Sequence, residues 1–243
     1  MFSQKYYETV KKLESLVGDG HVRVAKMVSK QEGLLPMVLW TAGDNACARC
    51  LSHNGEEFSL DKLPEYPAHP HCLCQLSIIE VDIVRPFAKR MVFDGKRLNV
   101  YDQYGNRLYT TNATSGKNGH TAPMYQGEED TGPIPERQFE IIPEELDNPG
   151  LVTDFVRETG FAALWHQGEL KFTDWGDWRI RLHEKEDTLG RSGFFLHGGI
   201  ITGSRGCIKY RGWSDPELEK LIQDSMYVIE VEVDYGADCA CTQ

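Results

Sequence analysis

Apolar positions recur at helical spacing at the start of the chain. Tyr6, Tyr7, Val10, Leu13 and Val17 are separated by Lys and Glu until Gly18-Asp19-Gly20 interrupts them. That period predicts a helix here and a second, shorter one from His21 to Lys30. From Leu34 to Gln75 no period survives, and a stretch punctuated by Gly, Pro and Cys reads as loop. Asp82 to Arg90, with Pro86 inside it, reads as a linker. Beyond Arg90 the pattern becomes that of strands. Met91–Phe93 and Arg97–Tyr101 flank Asp94-Gly95, which predicts a hairpin with a type I′ turn. Arg107 to Ala113 is the next expected strand, followed by Gln138–Ile142, Trp178–Leu182, Gly193–His197 and Tyr227–Val233. In the last of these Ile229, Val231 and Val233 alternate with Glu230 and Glu232, the mark of a half-buried strand. A helical period returns around Thr153–Arg157 and in Asp215–Ser225.

The pattern predicts an α+β protein in two units: a small helical, cysteine-rich one over residues 1–85 and a mostly β domain over 86–243. Composition adds exclusions. The chain has 243 residues, 40% of them apolar, and a net charge of −11. A field of that sign repels polyanions, so no nucleic-acid partner is expected through the phosphate backbone. No apolar run approaches the ~18–20 residues that cross a bilayer, so no membrane span is expected. The first twenty residues carry neither an apolar core nor a small-residue cleavage site, so synthesis in the cytoplasm without a signal peptide is expected. Thiols made there stay free or bind metal. The seven cysteines fall in three groups: Cys47, Cys50, Cys72 and Cys74; Cys207 alone; and Cys239 with Cys241. Such clustering argues against an evenly spread disulfide framework. The final Cys-x-Cys reads as part of a frayed terminus.

The lone cysteine sits in the most suggestive setting. Phe194-Phe-Leu-His197-Gly-Gly199 reads as a strand that delivers a histidine to its end and turns on two glycines; Gly203-Ser-Arg-Gly-Cys207 follows. An imidazole that takes the thiol proton makes a cysteine nucleophilic. Small residues such as Gly203, Ser204 and Gly206 let backbone N–H groups approach a developing oxyanion. From the residues alone, a buried structural Cys207 beside a core His197 is the competing reading. No Gly-Lys-Ser/Thr follows the glycines, which excludes a phosphate loop.

The segment HGGIITGSRGC resembles the signature of L,D-transpeptidases of the YkuD type. Phe93-Asp-Gly-Lys96, Val100-Tyr-Asp102, Ser115-Gly-Lys117, Gly132-Pro-Ile-Pro-Glu136, Trp175-Gly176, Arg179 and Arg191-Ser-Gly193 occur in the order seen in the toxin branch of that family. The likeness runs from about Arg90 to about Tyr235. It implies Cys207 as nucleophile and His197 as base, the Gly198 carbonyl orienting the imidazole, and amides near Gly206 and Cys207 binding the oxyanion. It implies no cofactor for catalysis. The substrate it implies is the peptidoglycan tetrapeptide stem, from which the terminal D-alanine after meso-diaminopimelate is removed or exchanged. The housekeeping members carry a second histidine where Arg205 stands here, and Lys209 follows Ile208. This departure favours a type VI secretion effector, exported to act in the periplasm of target bacteria, with a cognate immunity protein and a secretion-machine component as partners. Ser204, Arg205 and Lys209 are candidates for substrate contact, the two cations through a substrate carboxylate. A resident crosslinking enzyme and a non-catalytic binding module are the alternatives.

In the first unit, Cys47-Ala-Arg-Cys50 and His69-Pro-His71-Cys72-Leu-Cys74 form two knuckles of soft ligands suited to a structural, tetrahedral Zn²⁺, with unmetallated buried cysteines or disulfides as the competing reading. Cys47, Cys50 and Cys72 are expected ligands, with His69 or Cys74 completing the shell and His71 outside it. The order of motifs is wrong for a zinc deaminase, which needs His-x-Glu first. Trp40 to Asp44, CARC, His53 to Phe58 and His69 to Cys74 also resemble the C-terminal end of phage Mu F-type head morphogenesis proteins, over about Leu34 to Leu76. That likeness implies a packaging, loading or delivery module.

Overall fold

A computed structural model describes residues 1–69, 71–148, 175–199 and 203–236. The helix expected around Thr153–Arg157, and Cys239 and Cys241, lie outside the described residues. The chain forms two compact units, one of Gln4–Pro86 and one built from Phe87 onward together with Met1–Ser3. Among the described residues, no helix is long and apolar enough to cross a membrane.

The smaller unit holds α1 (Gln4–Gly18) and α2 (Val22–Glu32). Leu13 and Val17 of α1 and Val22 and Ala25 of α2 are buried in its core, which accounts for the helical period there. Gly33 ends α2 in the left-handed conformation (φ 64°), and its N–H bonds the Lys30 carbonyl. The chain then runs straight into β1 (Leu34–Thr41), the middle of an antiparallel three-stranded sheet with β2 (Glu57–Ser59) on one side and β3 (Gln75–Ile83) on the other. This unit is therefore α+β rather than helical. The region read as loop from Leu34 carries two strands and a four-residue helix, α3 (Ala48–Leu51), and β3 runs into the stretch read as linker. The reason is physical: β1 is Leu-Leu-Pro-Met-Val-Leu-Trp, apolar on both faces, so burial alternates while hydrophobicity does not. Pro36 also argues against a central strand. The sheet accommodates it beside a register irregularity at Met37/Val38.

The larger unit is a closed barrel. Its strands are β4 (Arg90–Phe93), β5 (Arg97–Tyr101), β6 (Arg107–Thr114), β7 (Gln138–Ile141), β8 (Arg179–Glu184), β9 (Phe194–His197), β10 (Ile208–Tyr210) and β11 (Ile229–Val233). They close in the order β10-β6-β5-β4-β11-β7-β8-β9, with β11 parallel to β4 and β10 parallel to β9. Alternate residues fill the interior, among them Phe93, Phe139, Phe194, Tyr210 and Ile229. The helix α4 (Pro216–Gln223) adds Leu218 and Ile222, and its N-cap Asp215 accepts the Leu218 N–H at 3.1 Å. The β4–β5 turn departs from expectation. Gly95 alone of the turn has positive φ, whereas type I′ requires it at both central residues. The Asp94 carboxylate instead accepts the N–H groups of Lys96 and Arg97, at 2.8 and 2.7 Å.

The first three residues complete the barrel unit. Phe2 pairs with Tyr227, and their rings stack at 5.2 Å. The Ser3 N–H bonds the Met226 carbonyl and the Val228 N–H bonds that of Met1, both at 3.0 Å.

Candidate functional site

The site is written in the register of two neighbouring parallel strands. Ile208 pairs with Leu196 and Lys209 with His197, so Cys207 falls level with Phe195. Leu196 and Ile208 point into the barrel core. By alternation, His197, Phe195, Cys207 and Lys209 share the opposite, outer face. His197 and Cys207 are thus diagonal neighbours on that face. Both are nearly sequestered, 5% and 6% exposed. The Nδ1–H of His197 donates to the Gly198 carbonyl at 2.6 Å, which leaves Nε2 as the basic nitrogen.

Three glycines of the intervening segment stand in contacts no side chain would permit. A Cβ at Gly198 would stand 2.6 Å from the Trp213 carbonyl oxygen and 2.7 Å from the Tyr210 ring. Gly203 (φ +90°) lies against the Gly116 carbonyl, and Gly206 (φ +94°) lies against the Arg191 guanidinium. The Ser204 N–H bonds the Gly116 carbonyl at 3.0 Å, and its hydroxyl donates to the Cys207 carbonyl. That hydroxyl, expected to meet substrate, is buried and engaged in holding the turn before Cys207. Arg205 is exposed and pairs with Asp130 at 3.2 Å. Lys209 is buried, directly opposite His197.

The sequence offered no role for three further residues on or behind this face. The Trp175 ring meets His197 edge-on at 4.9 Å and Phe195 at 5.3 Å. The Arg179 guanidinium covers Trp175 at 5.0 Å while its Nε donates to Asp147 at 2.8 Å. Arg191 donates to the carbonyls of Gln126 (2.6 Å), Pro133 (2.7 Å) and Gly132 (3.1 Å). All three belong to segments that resemble the family in order, but what they touch depends on strand register and a loop sixty residues away in sequence.

Burial pushes the Cys207 thiol up to about 11, against the opposing pull of the Phe195 N–H and the Arg191 charge. The thiol is therefore neutral at ordinary pH, and making it nucleophilic would require a base.

The smaller unit gathers its own sulfur. Cys47, Cys50 and His69 present ligand atoms within 4.8 Å of one another, as do Cys50, Cys72 and Cys74, so Cys50 is the vertex shared by both triads. Cys50 Sγ lies 3.2 Å from His69 Nε2 and 3.7 Å from Cys72 Sγ. Zn–S bonds of about 2.3 Å in a tetrahedron separate two sulfurs by roughly 3.8 Å, so the Cys50–Cys72 edge fits a shared ion. It is far too long for a disulfide. Hydrogen bonding from the Cys50 N–H lowers the Cys47 thiol to about 7, while burial raises that of Cys50. Burial also presses the Cys74 thiol upward, but the Gly43 N–H and the neighbouring thiols prevail and leave it below its ordinary value. The Tyr66 hydroxyl fixes the second knuckle by donating to the Cys74 carbonyl at 2.7 Å. This cluster of Cys47, Cys50, His69, Cys72 and Cys74 could bind a metal. His71 is exposed and in neither triad.

In comparisons with known proteins, no family model and no curated protein matches the chain.

Proposed function

We propose that the barrel is a cysteine acyl-transfer enzyme acting on peptidoglycan tetrapeptide stems, as an L,D-carboxypeptidase or L,D-transpeptidase. The observation that carries this reading is the shared outer face of His197 and Cys207, with the imidazole oriented by the Gly198 carbonyl. The resemblance of HGGIITGSRGC to the L,D-transpeptidase signature supplies the substrate class.

Cys207 Sγ attacks the diaminopimelyl carbonyl carbon while its proton passes to His197 Nε2. The N–H groups of Gly206 and Cys207 stabilise the oxyanion. Collapse breaks the C–N bond, His197 returns the proton to the departing D-alanine amine, and a thioester remains on Cys207. Water then releases the tripeptide, or a D-amino acid amine takes its place. Sequestration of the thiol suits this order of events, because a neutral thiol survives until a substrate is present. As an exported effector, the enzyme would strip target cells of crosslinking donors in the periplasm. Its partners would be a secretion-machine component and an immunity protein.

The cysteine cluster of the smaller unit is proposed to hold a structural Zn²⁺. Cys50 and Cys72 form one edge of its shell, with Cys47, His69 and Cys74 supplying the rest. The ion would lock the two knuckles together. The likeness to Mu F-type proteins favours a role for this unit in loading or delivery.

The deciding experiment is mass spectrometry of purified tetrapeptide muropeptides incubated with the protein, with and without a second D-amino acid. D-Alanine release or exchange that vanishes in both Cys207→Ala and His197→Ala is the expected result. Release that persists in Cys207→Ala would sink the mechanism.

A further inference from the structure

The residue before the nucleophile is glycine for a reason that backbone approach alone does not supply. A Cβ at Gly206 would stand 2.3 Å from Arg191 Nη2, so the bare α-carbon admits a guanidinium directly behind the cysteine turn. That guanidinium sits 5.4 Å from the Phe194 ring and spends its donors on the three carbonyls of Gln126, Gly132 and Pro133. Carbonyl dipoles hold a cation without cancelling its unit charge. The acidic groups that act on it, Glu129 and Asp130, do so without an ion pair, and Asp130 is paired with Arg205 instead. A net positive charge thus remains behind Cys207, and its field reaches the thiol.

We infer that Arg191 is the positioning residue of this site: it fixes the Gln126–Pro133 loop against the nucleophile turn and places an uncancelled positive charge behind the Cys207 sulfur. This rests on the reading of Cys207 as nucleophile. A thiolate, and the oxyanion formed next to it, develop negative charge where the guanidinium already stands, so the stabilisation needs no reorganisation. The other charged or titratable groups on the elements around Cys207 are His197 on β9, Lys209 on β10, Arg179 and Arg181 on β8, Arg205 in the turn itself, and Glu129 and Asp130 in the loop. Tyr235 lies beyond, acting on Arg191 itself. Of these, Arg205 turns outward to Asp130 and is 64% exposed.

The test uses the full chain and no substrate. Cys207 is alkylated with iodoacetamide between pH 7 and pH 10 and followed by peptide mapping, with parent and variants treated in parallel. Arg191→Gln keeps donors for the carbonyls and removes the charge. It should slow Cys207 alkylation about tenfold at every pH from 7 to 10, where the thiolate is the minor form. Arg191→Lys keeps the charge and should stay within about threefold of the parent. A folded Arg191→Gln with the parent profile overturns the inference. If that variant does not fold, Arg191→Lys decides, since a tenfold slower alkylation in a charge-retaining variant also overturns it. Loss of the fold in both would reduce Arg191 to a structural clamp and overturn the electrostatic role. Because no muropeptide is involved, failure here and failure of stem-peptide cleavage are separate results.

Discussion

Lys209 stands directly opposite His197 across the parallel β9–β10 pair, so a buried cation and the proposed base share one rung of the ladder. A lysine sealed at 4% exposure is costly to place by chance. By alternation its side chain lies on the same outer face as Cys207. Lys209→Met should keep the barrel folded, measured by thermal denaturation, while changing the pH dependence of D-alanine release. An unaltered profile would assign Lys209 to packing alone.

Gly198 has no room to grow. An alanine there meets a carbonyl oxygen and an aromatic ring at distances real Cβ atoms do not adopt. Gly198→Ala should destabilise the barrel by about 1–3 kcal/mol in urea denaturation. It should also lower kcat by displacing the carbonyl that orients His197.

Ser204 and Arg205 separate by what they already hold. Ser204→Ala frees the Cys207 carbonyl and should cost about 1 kcal/mol of stability, with kcat falling more than KM rises. The Arg205–Asp130 pair is 64% and 65% exposed and screened by solvent, so Arg205→Ala should leave the melting temperature unchanged. A rise in KM for stem peptides in that variant would show that Arg205 reads a substrate carboxylate.

Raising pH should destabilise the fold through Cys207. Its thiol titrates near 11 in the folded chain against about 9 when exposed, so the folded state retains the proton longer. The stabilisation it confers is complete below pH 9 and is lost as pH climbs toward 11, to the extent of about 2–3 kcal/mol. Cys207→Ala should flatten that part of the stability curve relative to the parent, and equal slopes would contradict the assigned titration.

Metal retention should hinge on the shared vertex. The purified chain is expected to carry one zinc per molecule by elemental analysis. Cys50→Ser should abolish retention because both triads lose a member, whereas Cys47→Ser or Cys74→Ser should weaken it less. Chelation should expose Cys47, whose thiol lies near 7, to rapid alkylation at neutral pH.

Much of this arrangement was legible in the sequence, and the gaps have physical causes. Strands such as Ile229–Val233 show one buried and one solvated face, so alternation revealed them. β1 buries residues among apolar neighbours on both sides, and its period vanished. Barrel order was closed to sequence reasoning, because β11 lies beside β4 from the far end of the domain. His197 and Cys207 were singled out by type, spacing and the likeness of their segment to a known signature, and the strands set them on one face. Arg191 was not, since its meaning arises where the Gly206 turn and the Gln126–Pro133 loop converge.

The bridge of Phe2 to Tyr227 changes what the cysteine-rich unit is. The polypeptide leaves the barrel unit after Ser3 and re-enters it at Phe87, so Gln4–Pro86 is a looped-out insertion rather than a leading appendage. Clipping the backbone once near residue 86 leaves that insert joined to a three-residue staple still seated on the barrel. Removing the insert by truncation takes the staple with it, whereas a short bridge from Ser3 to Phe87 would excise the insert and spare the barrel's own first rung.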